Sequence, residues 1–325
     1  MQEENIKTGA ILSPFDERDY IYENLGLATT PFDWGVGYDV EKVAGILKTK
    51  DQGNAGSCGG QAWSYYMACL DNDTKEKSAK FIYSQTFVLP AGSAGRTNSL
   101  LCKNKGVSDE ELCSSYDNGN PPTEEFMQRK SDITPQAYDN ALKDKAYSFA
   151  QITNLSWDNL AQAIRDNKGI VLGVYGKNNG TWVSKFPTPP DTNSGAWAHW
   201  LYAGKALIIN GKKYIGVKNS WGDSVGDNGW QYIGEEYIPH LFEVWSMVYN
   251  YPVKYTFSKV MRLGSTGYEV KQLQRVLGIG MDGIFGLRTL AEVKKFQKEK
   301  GLVADGIVGI KTILKLNNIT YSKNY

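Results

Sequence analysis

A glycine-rich turn, Asp51-Gln52-Gly53-Asn54-Ala55-Gly56-Ser57-Cys58, runs straight into an apolar segment containing Ala62, Trp63, Tyr65, Tyr66, Ala68 and Cys69. That segment reads as a buried helix, so the turn delivers Cys58 to a helix N-terminus inside a packed domain. Unpaired backbone N–H groups and the positive end of the helix dipole favour a thiolate there. A nucleophilic thiolate needs a proton-accepting partner and a donor for the oxyanion it creates, and Gln52, six residues upstream, is a candidate donor. A single cysteine in a turn is more often a small buried hydrophobe, so the remaining chain must supply the partners.

The 325 residues are 41% hydrophobic and 12% aromatic, enough for a sizeable core in one large domain or two ordinary ones. The net charge of +1 is unevenly spread. Residues 258–325 hold 12 Lys+Arg against 5 Asp+Glu, a net of +7, which leaves −6 for the rest. A small basic module on an acidic larger one points to an anionic partner for the smaller piece, with solvated helix faces as the duller explanation. Met1-Gln2-Glu3-Glu4-Asn5 has neither the basic nor the apolar region of a signal peptide, and no run approaches transmembrane length. Either a signal has been removed or the protein leaves the cell by another route, such as host lysis. Cys58 and Cys69 are too far apart along one helix to bridge, whereas Cys102 and Cys113 flank a polar loop and could pair in an oxidising setting. No CxxC or HxxxH spacing occurs, so no metal site is expected.

Residues 1–50 read as a mostly irregular segment on the surface of the main domain, with Ser13 to Tyr20 as a compact mixed-charge stretch. The helix after Cys58 meets a stop signal at Asn72-Asp73-Thr74. Residues 81–89 form a second buried segment ending at Pro90, and Gly92-Ser93-Ala94-Gly95-Arg96 reads as a flexible loop able to bring backbone close to a ligand. Ser108-Asp109-Glu110-Glu111 carries the cap and first-turn acids of a short helix. Trp157 to Ile164 is helical by spacing and ends at Asn167-Lys168-Gly169. Strands follow at 170–174, 200–207, 214–218 and 230–233. Helices first and antiparallel strands after give an α+β fold. Beyond Pro252, Asp282-Gly283-Ile284-Phe285-Gly286-Leu287-Arg288-Thr289 recurs 23 residues later as Asp305-Gly306-Ile307-Val308-Gly309-Ile310-Lys311-Thr312. Each copy leads from an Asp-Gly turn to a Thr suited to N-capping a helix. Apolar stripes at Val270, Leu273 and Leu277, at Leu290, Val293 and Phe296, and at Ile313 and Leu316 fit a separate all-α unit of three helices.

The chain has two histidines. His240 has no obvious polar partner, whereas His199 stands at the entrance to a strand, and Asn219 closes the next strand twenty residues later. Adjacent strands can set the two side by side, so that Asn219 accepts from one ring nitrogen while the other faces Cys58. Trp221 could shield that hydrogen bond from water.

Gln52-Gly53-Asn54-Ala55-Gly56-Ser57-Cys58, His199 and Asn219-Ser220-Trp221-Gly222, continued by Gly226-Asp227-Asn228-Gly229-Trp230, resemble the papain family of cysteine peptidases over about residues 15–250. The resemblance implies a two-lobed fold, helical in one half and antiparallel β in the other. It also implies Cys58 as nucleophile, His199 as base, Asn219 as its orienting partner and Gln52 in the oxyanion hole. Gly92 and Gly95 match the substrate-binding strand, and Trp221 joins them. Ala55 stands where secreted eukaryotic members have a disulfide cysteine, Gly59 replaces the usual Trp after the nucleophile, and Val225 replaces a common aromatic. Residues 260–317 resemble a three-helix peptidoglycan-binding module, through Arg262-Leu263-Gly264-Ser265, Val270, Leu273-Gln274, Val293, Phe296-Gln297 and both Asp-Gly-Ile copies, although Ile310 replaces the usual Pro.

The expected organisation is therefore a papain-like peptidase domain over 1–254, with 1–50 as a surface segment, followed by a peptidoglycan-binding domain over 258–320. The expected partners are peptidoglycan and a peptide or protein substrate. Nothing calls for a cofactor, metal, nucleic acid or membrane, and the expected state is a monomer. Location at the cell wall follows, in a protein of bacterial or viral type. Three readings follow: a lysin that cuts wall peptides, a protease parked on the wall, and a wall-binding protein whose peptidase-like domain is inert.

Overall fold

The computed structural model describes residues 8–14, 16, 21–25, 31–70, 75–248, 257–277, 279–280 and 282–317. Contacts divide the chain into one compact unit comprising residues 1–25 and 29–249, and a second made mainly of 250–325. The expected stop at Asn72-Asp73-Thr74, the N-terminal pentapeptide, Phe15 and residues 17–20 fall outside the described residues.

In the larger unit, β1 (Ala10–Ile11) and β2 (Tyr38–Asp39) precede the helical lobe. That lobe contains α1 (Cys58–Leu70), α2 (Ala79–Thr86), the short β3 (Ser93–Ala94), α3 (Gly95–Asn104), α4 (Glu124–Gln128) and α5 (Pro135–Ala141). The β lobe follows as β4 (Ser148–Gln151), α6 (Trp157–Asn167), β5 (Ile170–Gly176), β6 (Trp197–Ile209), β7 (Lys212–Lys218), β8 (Trp230–Ile233) and β9 (Leu241–Val248). These strands run in the order β4-β9-β5-β6-β7-β8, with β2 added to β6, and every pairing is antiparallel.

All thirteen residues of α1 are buried. A helix with aromatic side chains on several faces has to lie between layers. Here α2 and α3 pack on it from the helical lobe, and β6 packs on it from the sheet. Trp63 meets Trp200 edge-on at 5.3 Å and Tyr66 meets Tyr202 at 5.5 Å, so aromatic pairs join α1 to the sheet. Polar caps delimit the neighbouring helices. Ser78 Oγ accepts from Phe81 N, Ser156 Oγ accepts from Asn159 N, and Lys168 ends α6 in the left-handed region at φ 61°.

Three local expectations are corrected. Gly92 to Arg96 is a strand leading into a helix, not a flexible loop, because β3 pairs in parallel with β1. Ser108 to Glu111 forms no helix, since the Asp109 carboxylate is drawn to Lys75, Lys77 and the Asn140 amide instead of capping a turn. Residues 1–50 are not uniformly a surface segment: Tyr38–Asp39 joins the large sheet, and the strand at 10–11 pairs with β3 beside the start of α1. All four cysteines are free and buried, Cys102 and Cys113 included.

The smaller unit holds α7 (Tyr268–Val276), α8 (Leu287–Glu299) and α9 (Ile310–Asn317) around a core of Phe257, Met261, Val270, Leu273, Phe285, Val293, Val308 and Leu316. The repeated Thr residues are not N-caps. Gln274 Nε2 donates to Asp282 Oδ1, the Ile284 carbonyl and Thr289 Oγ1, while its Oε1 accepts from Gly283 N. Gln297 makes the same four bonds to Asp305, Ile307, Thr312 and Gly306. The repeat thus encodes two copies of one buried glutamine clasp around an Asp-Gly turn.

Candidate active site

The turn before α1 is held by its backbone. Gly53 lies at φ +55°, where a Cβ would fall 2.5 Å from the Pro122 carbonyl, so glycine is required there. Gln52 N donates to Ser220 O at 2.8 Å, and Gly222 N donates to Lys50 O at 3.0 Å. These bonds stitch the turn to the segment after β7, so residues distant in sequence share one edge of the cleft. The Gln52 side chain is fixed at both ends: Nε2 donates to Ala55 O at 2.8 Å, and Oε1 accepts from Ser220 Oγ at 2.6 Å.

A chain of amides sets the histidine tautomer. Gln231 Nε2 donates to the carbonyls of Trp182 and Ser184, which turns its Oε1 toward Asn219 Nδ2 at 2.8 Å. Asn219 must then present Oδ1 to His199 Nε2, 3.0 Å away, and that oxygen also accepts from Ser220 N. An oxygen cannot donate, so the ring carries its proton on Nε2 and keeps an open lone pair on Nδ1. Trp221 stacks on the imidazole at 4.6 Å and 29°, and Trp197 meets it edge-on. His199, Asn219 and Gln231 are all fully buried.

Cys58 is the first residue of α1. Its sulfur lies against the backbone N–H of Trp200, next in sequence to His199, and against that of Gly9. Gly9 belongs to the N-terminal segment. The Ser93 N–H donates to the Gly9 carbonyl at 2.8 Å, and Ala10–Ile11 continues alongside Ser93–Ala94. Ser13 then bonds Glu243 through both its N–H and its hydroxyl, Arg96 N donates to Ser13 Oγ, and Arg96 pairs with Asp16 at 2.6 Å. Residues 8–14, with Asp16, therefore form a strap along β3, which Gly92 and Gly95 flank, and over the cysteine. Gly92 sits at φ +105°, with the Gly9 carbonyl oxygen 2.6 Å from where a Cβ would stand.

The strap changes the expected electrostatics. Burial pushes the Cys58 thiol up to about 12, despite the N–H groups facing the sulfur. Burial also lowers His199 to about 4, only partly opposed by Asn219. His199 Nδ1 has no hydrogen-bond partner. Both shifts favour the neutral forms, against the thiolate that the helix terminus was expected to favour. Removing water from the sulfur outweighs the helix dipole and the nearby amides.

Gly59 does not leave an open space in the cleft. A Cβ there would meet Ser93 Oγ at 2.3 Å and Asn98 Nδ2 at 2.5 Å, so β3 and α3 fill the volume. Ser220, Gln231, Glu124 and Tyr83 were not singled out from the sequence. Glu124 accepts from Gly56 N and from Tyr83 OH, and Tyr83 OH accepts from Gly92 N, so one carboxylate ties the turn to the glycine strand. Ser220 lies inside the Asn219-Ser220-Trp221-Gly222 motif without having been given a role, and the other three stand in no motif; only their contacts reveal what these residues do. His240 bonds Asn193 at the surface and takes no part. Among the described residues no group of three or more His, Cys, Asp and Glu could hold a metal, and no helix is long and apolar enough to cross a membrane.

The larger unit has the papain-like cysteine protease fold, and the C-terminal unit carries a peptidoglycan-binding domain. Residues 266–316 match the family model described as "Putative peptidoglycan binding domain". Among solved structures, the chain is similar to xylellain, a cysteine protease from Xylella fastidiosa, at 20% identity over 75% of this chain and 96% of that one, with a TM-score of 0.59. It is also similar to digestive procathepsin L2 proteinase from Tenebrio molitor larval midgut, at 16% identity over 75% and 79% of the two chains and a TM-score of 0.58. A third is the proform of Amb a 11, a cysteine protease and major ragweed pollen allergen, at 17% identity over 70% and 68%, with a TM-score of 0.55. No curated protein matches the sequence.

Proposed function

We propose that this chain is a cysteine peptidase that cuts peptide bonds at the bacterial cell wall, and that the strap holds it latent in the conformation described. The observation that carries the reading is the His199 tautomer fixed through Asn219 and Gln231, with Nδ1 open as a base. Once Gly9 withdraws, His199 Nδ1 takes the proton of Cys58. The sulfur attacks a peptide carbonyl carbon, and the carbonyl electrons move to oxygen, where the Gln52 amide and the Cys58 N–H receive the negative charge. The imidazolium gives its proton to the leaving amine as the C–N bond breaks. Water, deprotonated by the same ring, then releases the acid and restores the thiol. Neither Gln52 nor Asn219 gains or loses a proton.

The peptidoglycan-binding domain favours the wall as the place of action, because tethering raises the local concentration of wall peptides without any new contact at the cleft. Parallel digestion of purified peptidoglycan and casein, with Cys58→Ala as control, tests the substrate. New amino termini released from the wall alone support the lysin reading, and release from casein alone supports a wall-anchored protease. No release from either, together with no labelling of Cys58 by an active-site-directed thiol reagent, would leave an inert wall-binding protein.

A further inference from the structure

We propose that the two Asp-Gly-Ile turns of the C-terminal unit are two equivalent binding stations, each for one peptide stem of peptidoglycan. The inference rests on the peptidoglycan-binding domain and is independent of the peptidase reading. The 23-residue offset repeats more than the glutamine clasp. Lys271 lies flat across Gly283, its Cε 2.9 Å and its Cγ 3.0 Å from where a Cβ would stand, and Lys294 lies across Gly306 at 3.0 and 3.3 Å. Ile284 is 54% exposed after the first turn, and Ile307 is 41% exposed after the second. Leu287 and Ile310, which open α8 and α9, are each 74% exposed, and each is followed by an exposed cation, Arg288 or Lys311. Scattered exposed aliphatic side chains are ordinary, but the same ones beside the same cations at a fixed offset are not. Neither the core nor the clasp uses them. The Asp of each turn accepts from the Ile N–H and the glutamine amide, so its charge is engaged by the clasp.

One short segment ties the two turns together. Met261 exchanges backbone hydrogen bonds with Val308, Gly264 N donates to Phe285 O, and Phe285 N donates to Ser265 O. Met261, Phe285 and Val308 all enter the core, so Ile284 and Ile307, each one residue away, point outward. From Met261 to Ser265 the chain spans at most about 14 Å, which sets the stations side by side. Each offers aliphatic surface for alkyl groups and cations for carboxylates. A peptide stem carries methyl groups and free carboxylates together. The N-acetylated sugars bring no charge to the lysines, and a polyol phosphate brings no alkyl group to the isoleucines. Two stations this close suit two stems borne on one glycan strand.

The test uses full-length Cys58→Ala protein, so that nothing is cleaved, and teichoic-acid-free peptidoglycan fragments bearing one stem or two on a continuous glycan. Titration calorimetry gives affinity and stoichiometry. With both stations intact, the one-stem fragment should bind twice per chain, and the two-stem fragment once and about 10-fold tighter or more, because its second contact is intramolecular. Lys271→Gln with Ile284→Ser, or Lys294→Gln with Ile307→Ser, should each cut one-stem binding to a single site and erase the two-stem advantage. Equal affinity for the two fragments with both stations intact overturns the inference, and it does so even if neither variant folds. So does a variant pair in which one abolishes binding and the other changes nothing, or binding of a polyol-phosphate polymer in place of the fragments. Binding to intact cell wall but to neither fragment overturns it as well. If purified peptidoglycan is not bound in any form, the wall-binding reading has failed, and this inference with it.

Discussion

Gly9→Ala should unlock the cysteine. A Cβ on residue 9 would stand 1.9 Å from the Gly56 carbonyl oxygen and 2.5 Å from its carbon. Both atoms are backbone, in a turn held by Glu124 and by the bridge to residues 220–222, so no rotamer change relieves the clash. Overpacking costs about 1–3 kcal/mol where side chains can give way. Here the upper end applies, and ~3 kcal/mol is a factor of about 150 between docked and undocked strap. Besides the β1–β3 pairing and the Gly9 N–H on the sulfur, the docked state gains four hydrogen bonds, from Ser93 to Gly9, from Ser13 twice to Glu243 and from Arg96 to Ser13, plus one ion pair. At about 1 kcal/mol net for each, less the entropy of ordering the segment, the perturbation offsets a large part of the gain.

The assay is the pseudo-first-order alkylation rate of Cys58 at pH 7 under native conditions, with Cys58→Ala subtracting the other three buried thiols. Gly9→Ala is expected to raise the rate by about 5- to 150-fold, as the range of overpacking costs implies. Leu12→Ala, at a strap position 62% exposed, should leave it within about two-fold. A Gly9→Ala protein that melts like wild type and is alkylated at the wild-type rate would refute the reasoning, because the strap could not then be what shields the sulfur.

Three further outcomes follow from the same contacts. His199 is held at about 4 against 6.5 when unfolded, so the unfolded chain takes up a proton first as pH falls. This stabilising contribution is complete above pH 6.5 and is lost down to about pH 4, some ~3 kcal/mol in all. Denaturant melts across that window should show a shallower acid limb for His199→Gln, and an unchanged slope would count against it. In the C-terminal unit, Gln274→Ala and Gln297→Ala each leave a buried Gly N–H without its partner and the Ile carbonyl with only the Thr hydroxyl, and each should destabilise that unit by ~1–3 kcal/mol in chemical denaturation. A cost below 0.5 kcal/mol, the level of an ordinary surface change, would show that water replaces the clasp. Gly59→Trp, which restores the residue usual in the family, should fail to fold or should melt well below wild type, since Ser93 and Asn98 already occupy the space; normal folding would mean that β3 can move away.

The His199–Asn219 pairing and the place of Cys58 at the start of a buried helix were legible because each residue sits in a local motif with its own turn or strand signal. The antiparallel strands and the 23-residue repeat were equally readable, since alternation and Asp-Gly turns are local properties. What was not legible depends on pairing between distant segments. The strap contributes only two residues of strand, and nothing in Gly9 to Ser13 announces that it will lie along Ser93 and Ala94. Without that pairing, Gly92 to Arg96 reads as a free loop, and Cys58 as a thiolate instead of a sealed thiol. The same blindness explains Thr289 and Thr312: a Thr near a helix start is a cap by local rules, but Gln274 and Gln297 reach across from the preceding helices and claim the hydroxyls. Gln231 illustrates the limit most sharply, because its role is to orient Asn219, and only the carbonyls of Trp182 and Ser184 disclose it.

The strap's position also determines which kinetic constant it should change. Ser93 has its carbonyl engaged by Trp200 Nε1 and its hydroxyl by Asn98, and its N–H is taken by the Gly9 carbonyl. On the proposed reading, in which the peptide binds along β3, it needs that same N–H, and strap and substrate then exclude one another. The strap touches neither Asn219 nor Gln231, and once displaced by substrate it leaves the proton-transfer geometry as it is in wild type. Its effect is therefore competitive: the apparent KM is the intrinsic one divided by the open fraction, and kcat is left alone. Gly9→Ala should lower KM by the same factor by which it speeds alkylation, with kcat unchanged. A rise in kcat at constant KM would mean that the strap restrains the chemistry itself, through the sulfur or the imidazole, and that substrate enters the groove with the strap still in place.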